Sequence, residues 1–155
     1  MTQPPTVLSV RQRESRRMAK FMAVGILGFV VDASTFYVFS RAFHLSLLVA
    51  QACSFSVAVV NNFVWNRHWT FPEARSKSFR RQLTQFYATS VAGLIIRSIT
   101  IALVAAPFHR LAATYQFFAL PPRLLGDYAA LSTAVLIVFI WNYVINRIWT
   151  FGEVI

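Results

Sequence analysis

The chain has 155 residues, of which 57% are hydrophobic and only 13% charged, and it carries a formal net charge of +10. A soluble domain averages roughly 25% charged residues, and one this small has too little interior to hide so much apolar surface. The composition therefore excludes an ordinary soluble domain and points to an integral membrane protein. The basic residues cluster beside long apolar runs, as anionic lipid headgroups and the positive-inside bias require, so nucleic acid is not an expected partner.

A hydrocarbon core of ~30 Å takes about 20 apolar residues as a helix. Four segments qualify: Phe21 to Ser40, interrupted only by Asp32; Leu47 to Trp65, without charge; Phe86 to Ala106, interrupted only by Arg97; and Tyr128 to Ile145, again uncharged. Backbone groups in lipid must bond within their own segment, so the predicted fold is an all-α bundle of four transmembrane helices. The first apolar run is too long for a signal peptide and opens a series, so it is expected to be retained. Residues 1–20 read as a basic segment, and 21–155 as one four-helix domain.

Lys and Arg set the orientation. Arg11, Arg13, Arg16, Arg17 and Lys20 precede the first span; Arg67, Arg75, Lys77, Arg80 and Arg81 come after the second; Arg147 comes after the fourth. Arg41, Arg110 and Arg123 lie on the opposite side. Eleven against three predicts both termini in the cytoplasm and a multi-pass protein of the cytoplasmic membrane.

The strongest pattern is an internal repeat. Residues 62–71 read NFVWNRHWTF and residues 142–151 read NYVINRIWTF, seven of ten identical at an offset of 80. A weaker match relates Phe21 to Phe86, Gly28 to Gly93 and Asp32 to Arg97 at an offset of 65. The 15-residue difference places an insertion in Pro107 to Asp127, expected to be a long connection. The chain is thus expected to form two tandem parallel-repeat hairpins, repeat one over 21–71 and repeat two over 86–151. Such duplication serves either a transporter with a site at the repeat interface or simply a stable bundle.

Each NxxxNRxWTF copy continues a span into a basic segment. Asn62 and Asn66 are four apart, as are Asn142 and Asn146, so each pair shares a helix side. Ala50, Ser54 and Ala58, matched by Ala130, Ala134 and Val138, form a small-residue ridge suited to close helix packing. Arg67 and Arg147 then fall at headgroup level, where a guanidinium fork and neighbouring amides suit a lipid phosphate. Trp69, Phe71, Trp149 and Phe151 read as an interfacial aromatic belt.

Asp32 and Arg97 each lie eleven residues into a span, roughly 16 Å deep. Charges at that depth are expected to face inward, paired with each other or flanking a hydrated cavity, and Arg97 is a candidate stepping stone for a crossing phosphate. The connection with His109, Tyr115, Phe117, Phe118, Pro121 and Pro122 is apolar enough to lie on the membrane or cap the bundle. Cys53, the single cysteine, excludes an intrachain disulfide and reads as core filler.

The opening KFMAVGILGFVVD and the doubled NxxxNRxWTF ends resemble the GtrA-like family over roughly residues 18–152. The second copy departs mildly, with Tyr143 where the first has Phe63. The resemblance implies a small four-span protein of cell-surface polysaccharide synthesis that moves polyprenyl-phosphate-linked sugars across the membrane or assists the glycosyltransferases that use them. It implies Asp32, Asn62, Asn66, Arg67, Arg97, Asn142, Asn146 and Arg147 as the phosphate-handling residues. The expected function is a non-enzymatic carrier of polyprenyl phosphate, with or without sugar, needing no cofactor or metal. The alternative is a non-transporting anchor that recruits a polyprenyl-phosphate glycosyltransferase. Anionic lipids and either further copies of the chain or a glycosyltransferase are the expected partners. Catalysis is the weakest class, because no carboxylate pair, metal-ligand cluster or phosphate loop appears outside the spans.

Overall fold

The computed structural model describes residues 7–115 and 121–152. Among them there is no strand. The long elements are α1 (Val7–Arg41), α2 (Leu47–Trp65), α3 (Phe79–Tyr115) and α4 (Pro122–Ile145). A π-helical turn continues α2 over Asn66–Thr70, a 3₁₀ turn comes next at Pro72–Ser76, and a second π turn continues α4 over Asn146–Thr150. All four expected spans are thus present as helices long and apolar enough to cross a membrane. Large apolar side chains lie bare along all of them, among them Phe29 at 73%, Leu48 at 81% and Leu103 at 70% exposure. Such a surface would aggregate in water and is the surface hydrocarbon requires.

Described residues 7–87 and 146–152 form one compact unit, and 88–115 with 121–145 a second. In the first unit α1 and α2 pack as a hairpin. His44 adopts a left-handed conformation, φ 51°, and ends α1, where the Phe43 and Leu45 amides donate to the carbonyls of Val38 and Phe39. Ala50, Ser54 and Ala58 of the expected ridge are all buried, so helix backbones approach along it. At Gly28 the fit is closer still, since an added Cβ would fall 2.2 Å from the Asn62 amide.

The second unit repeats this arrangement. Gly93 faces Asn142 with 3.2 Å from an added Cβ to the amide, and Ala130 and Ala134 are buried as the ridge of α4. The glycine–asparagine contact thus recurs at offsets of 65 and 80, and the duplication seen in the sequence is a duplication of helix packing.

α1 contains 35 residues, about 52 Å of helix, and passes unbroken through residue 20. One expectation needs correction: over its described residues the stretch from Pro107 to Asp127 is mainly helix, because α3 runs through Pro107 to Tyr115 and α4 starts at Pro122, where the missing N–H costs nothing. Phe117 and Phe118 lie outside the described residues. The insertion therefore lengthens two helices, and its ends are tied where His109 Nε2 and Asp127 Oδ1 sit 2.8 Å apart. Gly126 packs directly on His109: a Cβ there would stand 2.2 Å from the ring and 2.9 Å from the backbone nitrogen. A backbone cannot yield as a side-chain tip can, so Gly126→Ala is expected to destabilise the second hairpin by about 1–3 kcal/mol, read as a lower midpoint of thermal unfolding in detergent.

Candidate functional site

The two NxxxNRxWTF copies end alike. In each, the last turn widens so that the Phe amide reaches back five residues: Phe71 N–H donates to Asn66 O at 2.8 Å, and Phe151 N–H to Asn146 O at 2.7 Å. A π turn absorbs one extra residue and re-aims the chain beyond it. The side chain re-aimed in both copies is the phenylalanine, and both rings turn inward. Phe71 and Phe151 stack on each other, centroids 4.8 Å apart and planes at 13°. Phe63 stacks on Phe151 from beneath, Phe21 meets Phe71 edge-on, and Phe86 tilts against Phe151. Phe21 with Phe71 and Phe86 with Phe151 are one contact made twice at the repeat offsets. Phe71 and Phe151 are each only 2% exposed, so they are core and not the expected aromatic belt, whereas Trp69 and Trp149 remain 44% and 52% exposed.

The asparagines of the π turns are buried, Asn66 at 2% and Asn146 at 0%. Here the copies diverge. Thr150 Oγ1 donates to Asn146 Oδ1 at 2.7 Å, while the equivalent Thr70 Oγ1 and Asn66 Oδ1 are buried without hydrogen-bond partners among the described residues.

The arginines diverge further. Arg67 is 7% exposed, and its Nη2 donates to the carbonyls of Arg75 and Lys77, both at 3.0 Å, with the guanidinium over Phe79. It staples the 3₁₀ turn and its flank, where the sequence suggested a phosphate cradle. Its Nη1 is buried and has no hydrogen-bond partner among the described residues. Arg147, with a 31% exposed side chain, donates from Nε to Glu14 at 2.6 Å.

Sequence reasoning missed the residues that complete this end of the unit. Arg17, 6% exposed, pairs with Glu14 at 3.1 Å and with Glu73, and lies over Phe71. Gln82, 1% exposed, donates to the carbonyls of Ala74 and Thr150, and Lys20 donates to Trp69 O while resting over the Trp69 ring. Arg17 and Gln82 are repeat equivalents at the offset of 65, the one signal that would have marked them. Two clefts open beside these residues, about 420 Å³ next to Thr70 and about 320 Å³ next to Thr150.

The intramembrane charges belong to different units. In the first, Asp32 is half-buried, and its Oδ1 is buried without a hydrogen-bond partner among the described residues. In the second, Arg97 is exposed.

A duplicated pair of membrane-crossing hairpins, with a buried polar and aromatic end, defines the class of protein: a multi-pass membrane protein built from a repeated two-helix unit. Residues 20–151 match the family described as the GtrA/DPMS transmembrane domain, and the chain belongs to it. An uncharacterized membrane protein of Bacillus subtilis, YngA, is 30% identical over 138 residues, covering 89% of this chain and 81% of YngA. A dolichol-phosphate mannosyltransferase of Pyrococcus furiosus is 28% identical over 86 residues, covering 56% of this chain and 24% of that enzyme. The matched stretch is therefore about a quarter of the mannosyltransferase.

Two asymmetries are measurable as unfolding midpoints in detergent. Arg67→Gln leaves two carbonyls unmet and is expected to cost about 2–3 kcal/mol, against about 0–1 kcal/mol for Arg147→Gln at its part-exposed pair. Thr150→Val loses a made hydrogen bond, about 1 kcal/mol, whereas Thr70→Val removes a hydroxyl without a partner and is expected to be neutral or stabilising.

Proposed function

We propose that this protein is a carrier for polyprenyl phosphate, with or without an attached sugar, in the synthesis of cell-surface glycans, and that it performs no covalent chemistry. Its basic end is taken to face the cytoplasm and its membrane to be the cytoplasmic membrane. The observation that carries this reading is Asp32: a carboxylate oxygen buried and unpartnered within an apolar span is costly, and a chain that merely anchored a partner would have no use for it. Arg97, exposed within the third span, is the matching cationic station for a phosphate in transit. Membership of the GtrA/DPMS family and the likeness to a dolichol-phosphate mannosyltransferase support lipid-linked sugars as the setting.

In this mechanism the basic residues at the helix ends gather the anionic headgroup, each worth about 1 kcal/mol near the surface. Asn62, Asn66 and Arg67, with Asn146 and Arg147, shape the mouth and hold its backbone in place, so the headgroup meets a preformed surface, while Asn142 keeps the equivalent helix contact against Gly93 in the second unit. Trp69 and Trp149 flank the mouth at the lipid interface. The polyprenyl chain remains in hydrocarbon throughout, so only the polar head requires a path. Four helices enclose little volume, and further copies of the chain or a partner subunit complete that path.

A second reading has its own support. The mannosyltransferase match covers a quarter of that enzyme, so a related segment exists there as part of a larger protein. On this reading the chain recruits a separate polyprenyl-phosphate glycosyltransferase and transports nothing.

Reconstitution separates the two. Liposomes containing the purified protein and a fluorescent polyprenyl phosphate are expected to expose the inner-leaflet pool to a membrane-impermeant quencher. Asp32→Asn and Arg97→Gln should each slow that exposure by about tenfold, ~1.4 kcal/mol on the barrier. Failure of the wild type to scramble, combined with retention of a glycosyltransferase on the immobilised protein, would establish the anchor.

A further inference from the structure

The two clefts at the basic end are copies of one another. Adding 65 to Arg13, Arg16, Arg17 and Lys20 of the first gives Ser78, Arg81, Gln82 and Gln85 of the second, and adding 80 to Thr70 gives Thr150. All of these line their respective clefts, so the duplication that made the hairpins also made two equivalent concave surfaces. Their chemistry has diverged. The first presents four cations against Glu73, and the second only Lys77 and Arg81.

What decides their capacity is which donors remain available. In the first cleft, Arg17 is held by Glu14 and Glu73, and Lys20 by Trp69. Arg13 and Arg16 are exposed, three residues apart on one face of α1, and neither makes a hydrogen bond or ion pair among the described residues. The unpartnered Thr70 hydroxyl belongs to the same cleft. In the second cleft, Lys77 donates to Gly152 O, Gln82 to two carbonyls and Thr150 to Asn146, so Arg81 is the one guanidinium lining it.

We infer that the first cleft is a phosphate-binding site, with Arg13 and Arg16 as its paired guanidinium ligands and Thr70 as an additional donor, and that the second is its weakened duplicate. Two guanidiniums provide the forked donors that a phosphate monoester dianion takes, while a single one is a poor match. Lys20, which lines the cleft, directly precedes Phe21, where the apolar run of α1 begins, so a phosphate held there lies at the start of the span along which an attached hydrocarbon chain can run. The ligand is accordingly the phosphate head of a prenyl lipid, an assignment that rests on the carrier reading above.

The test is equilibrium binding of farnesyl phosphate to the purified full-length protein in a neutral detergent, with farnesol and inorganic phosphate as separate probes. Arg13→Gln with Arg16→Gln is expected to weaken farnesyl phosphate about thirtyfold. The charge-matched control Arg41→Gln with Arg110→Gln, neither of which lines a cleft or belongs to the basic end, leaves the affinity unchanged. Ser78→Arg restores the second guanidinium of the duplicate cleft and is expected to add a second binding event. An unaltered affinity in the Arg13/Arg16 variant overturns the site, as does an equal loss in the control. Inorganic phosphate binding as tightly as farnesyl phosphate, and lost in the same variant, overturns the lipid assignment in favour of free phosphate. Farnesol binding as tightly as farnesyl phosphate overturns any role for the head. Site-dependent binding by a protein that scrambles nothing in liposomes upholds the cleft while the carrier reading fails; scrambling with cleft-independent binding does the reverse.

Discussion

Phe71 stacked on Phe151 is the contact on which the basic end of this protein depends. Each ring belongs to the last residue of a duplicated motif, and each reaches the stack only because a π turn redirects the chain after its helix. Aromatic pairs in such geometry add roughly 0.5–1.5 kcal/mol beyond the area they bury. The larger consequence is positional. With both rings drawn inward, Asn66 and Asn146 are buried, Trp69 and Trp149 are left outside, and the polar side chains around the plug must find partners or remain unmet.

How those side chains met that demand is where the copies part. Gly28 with Asn62 and Gly93 with Asn142 preserve the same helix contact, because a backbone approach that tight admits little variation. Beyond that frame the equivalents share positions and not roles. Arg67 braces a turn and Arg147 pairs with an acid; Arg17 bridges two carboxylates and Gln82 two carbonyls. Phe63 lies in the aromatic plug, while Tyr143, its counterpart, stacks on Phe139 in the other unit. Duplication supplied a symmetrical scaffold, and substitution on it yielded two unlike clefts.

Much of this architecture was legible in advance. Hydropathy marked four helices, and the doubled NxxxNRxWTF motif marked two hairpins. The small residues at positions 50, 54 and 58 marked a packing ridge. The connection at Pro107 to Asp127 misled because prolines and an insertion read as a loop, whereas Pro107 is carried within α3 and Pro122 opens α4. Phe71 and Phe151 misled for a related reason: an aromatic at the end of a span looks interfacial until the turn geometry aims it. The importance of Arg17 was hidden among four neighbouring cations.

Segment length, apolar content, charge bias and the repeat are properties of the chain read in one dimension, and they determined that this is a duplicated four-helix membrane protein. Which polar groups are satisfied and which are left over was decided only by tertiary structure. Arg17 meets Glu73 across 56 residues of sequence and Arg147 meets Glu14 across 133, and no local pattern encodes pairings of that reach. The availability of a guanidinium depends on what the folded chain has already placed beside it. That is why Arg67 is engaged while Arg13 and Arg16 make no hydrogen bond or ion pair among the described residues.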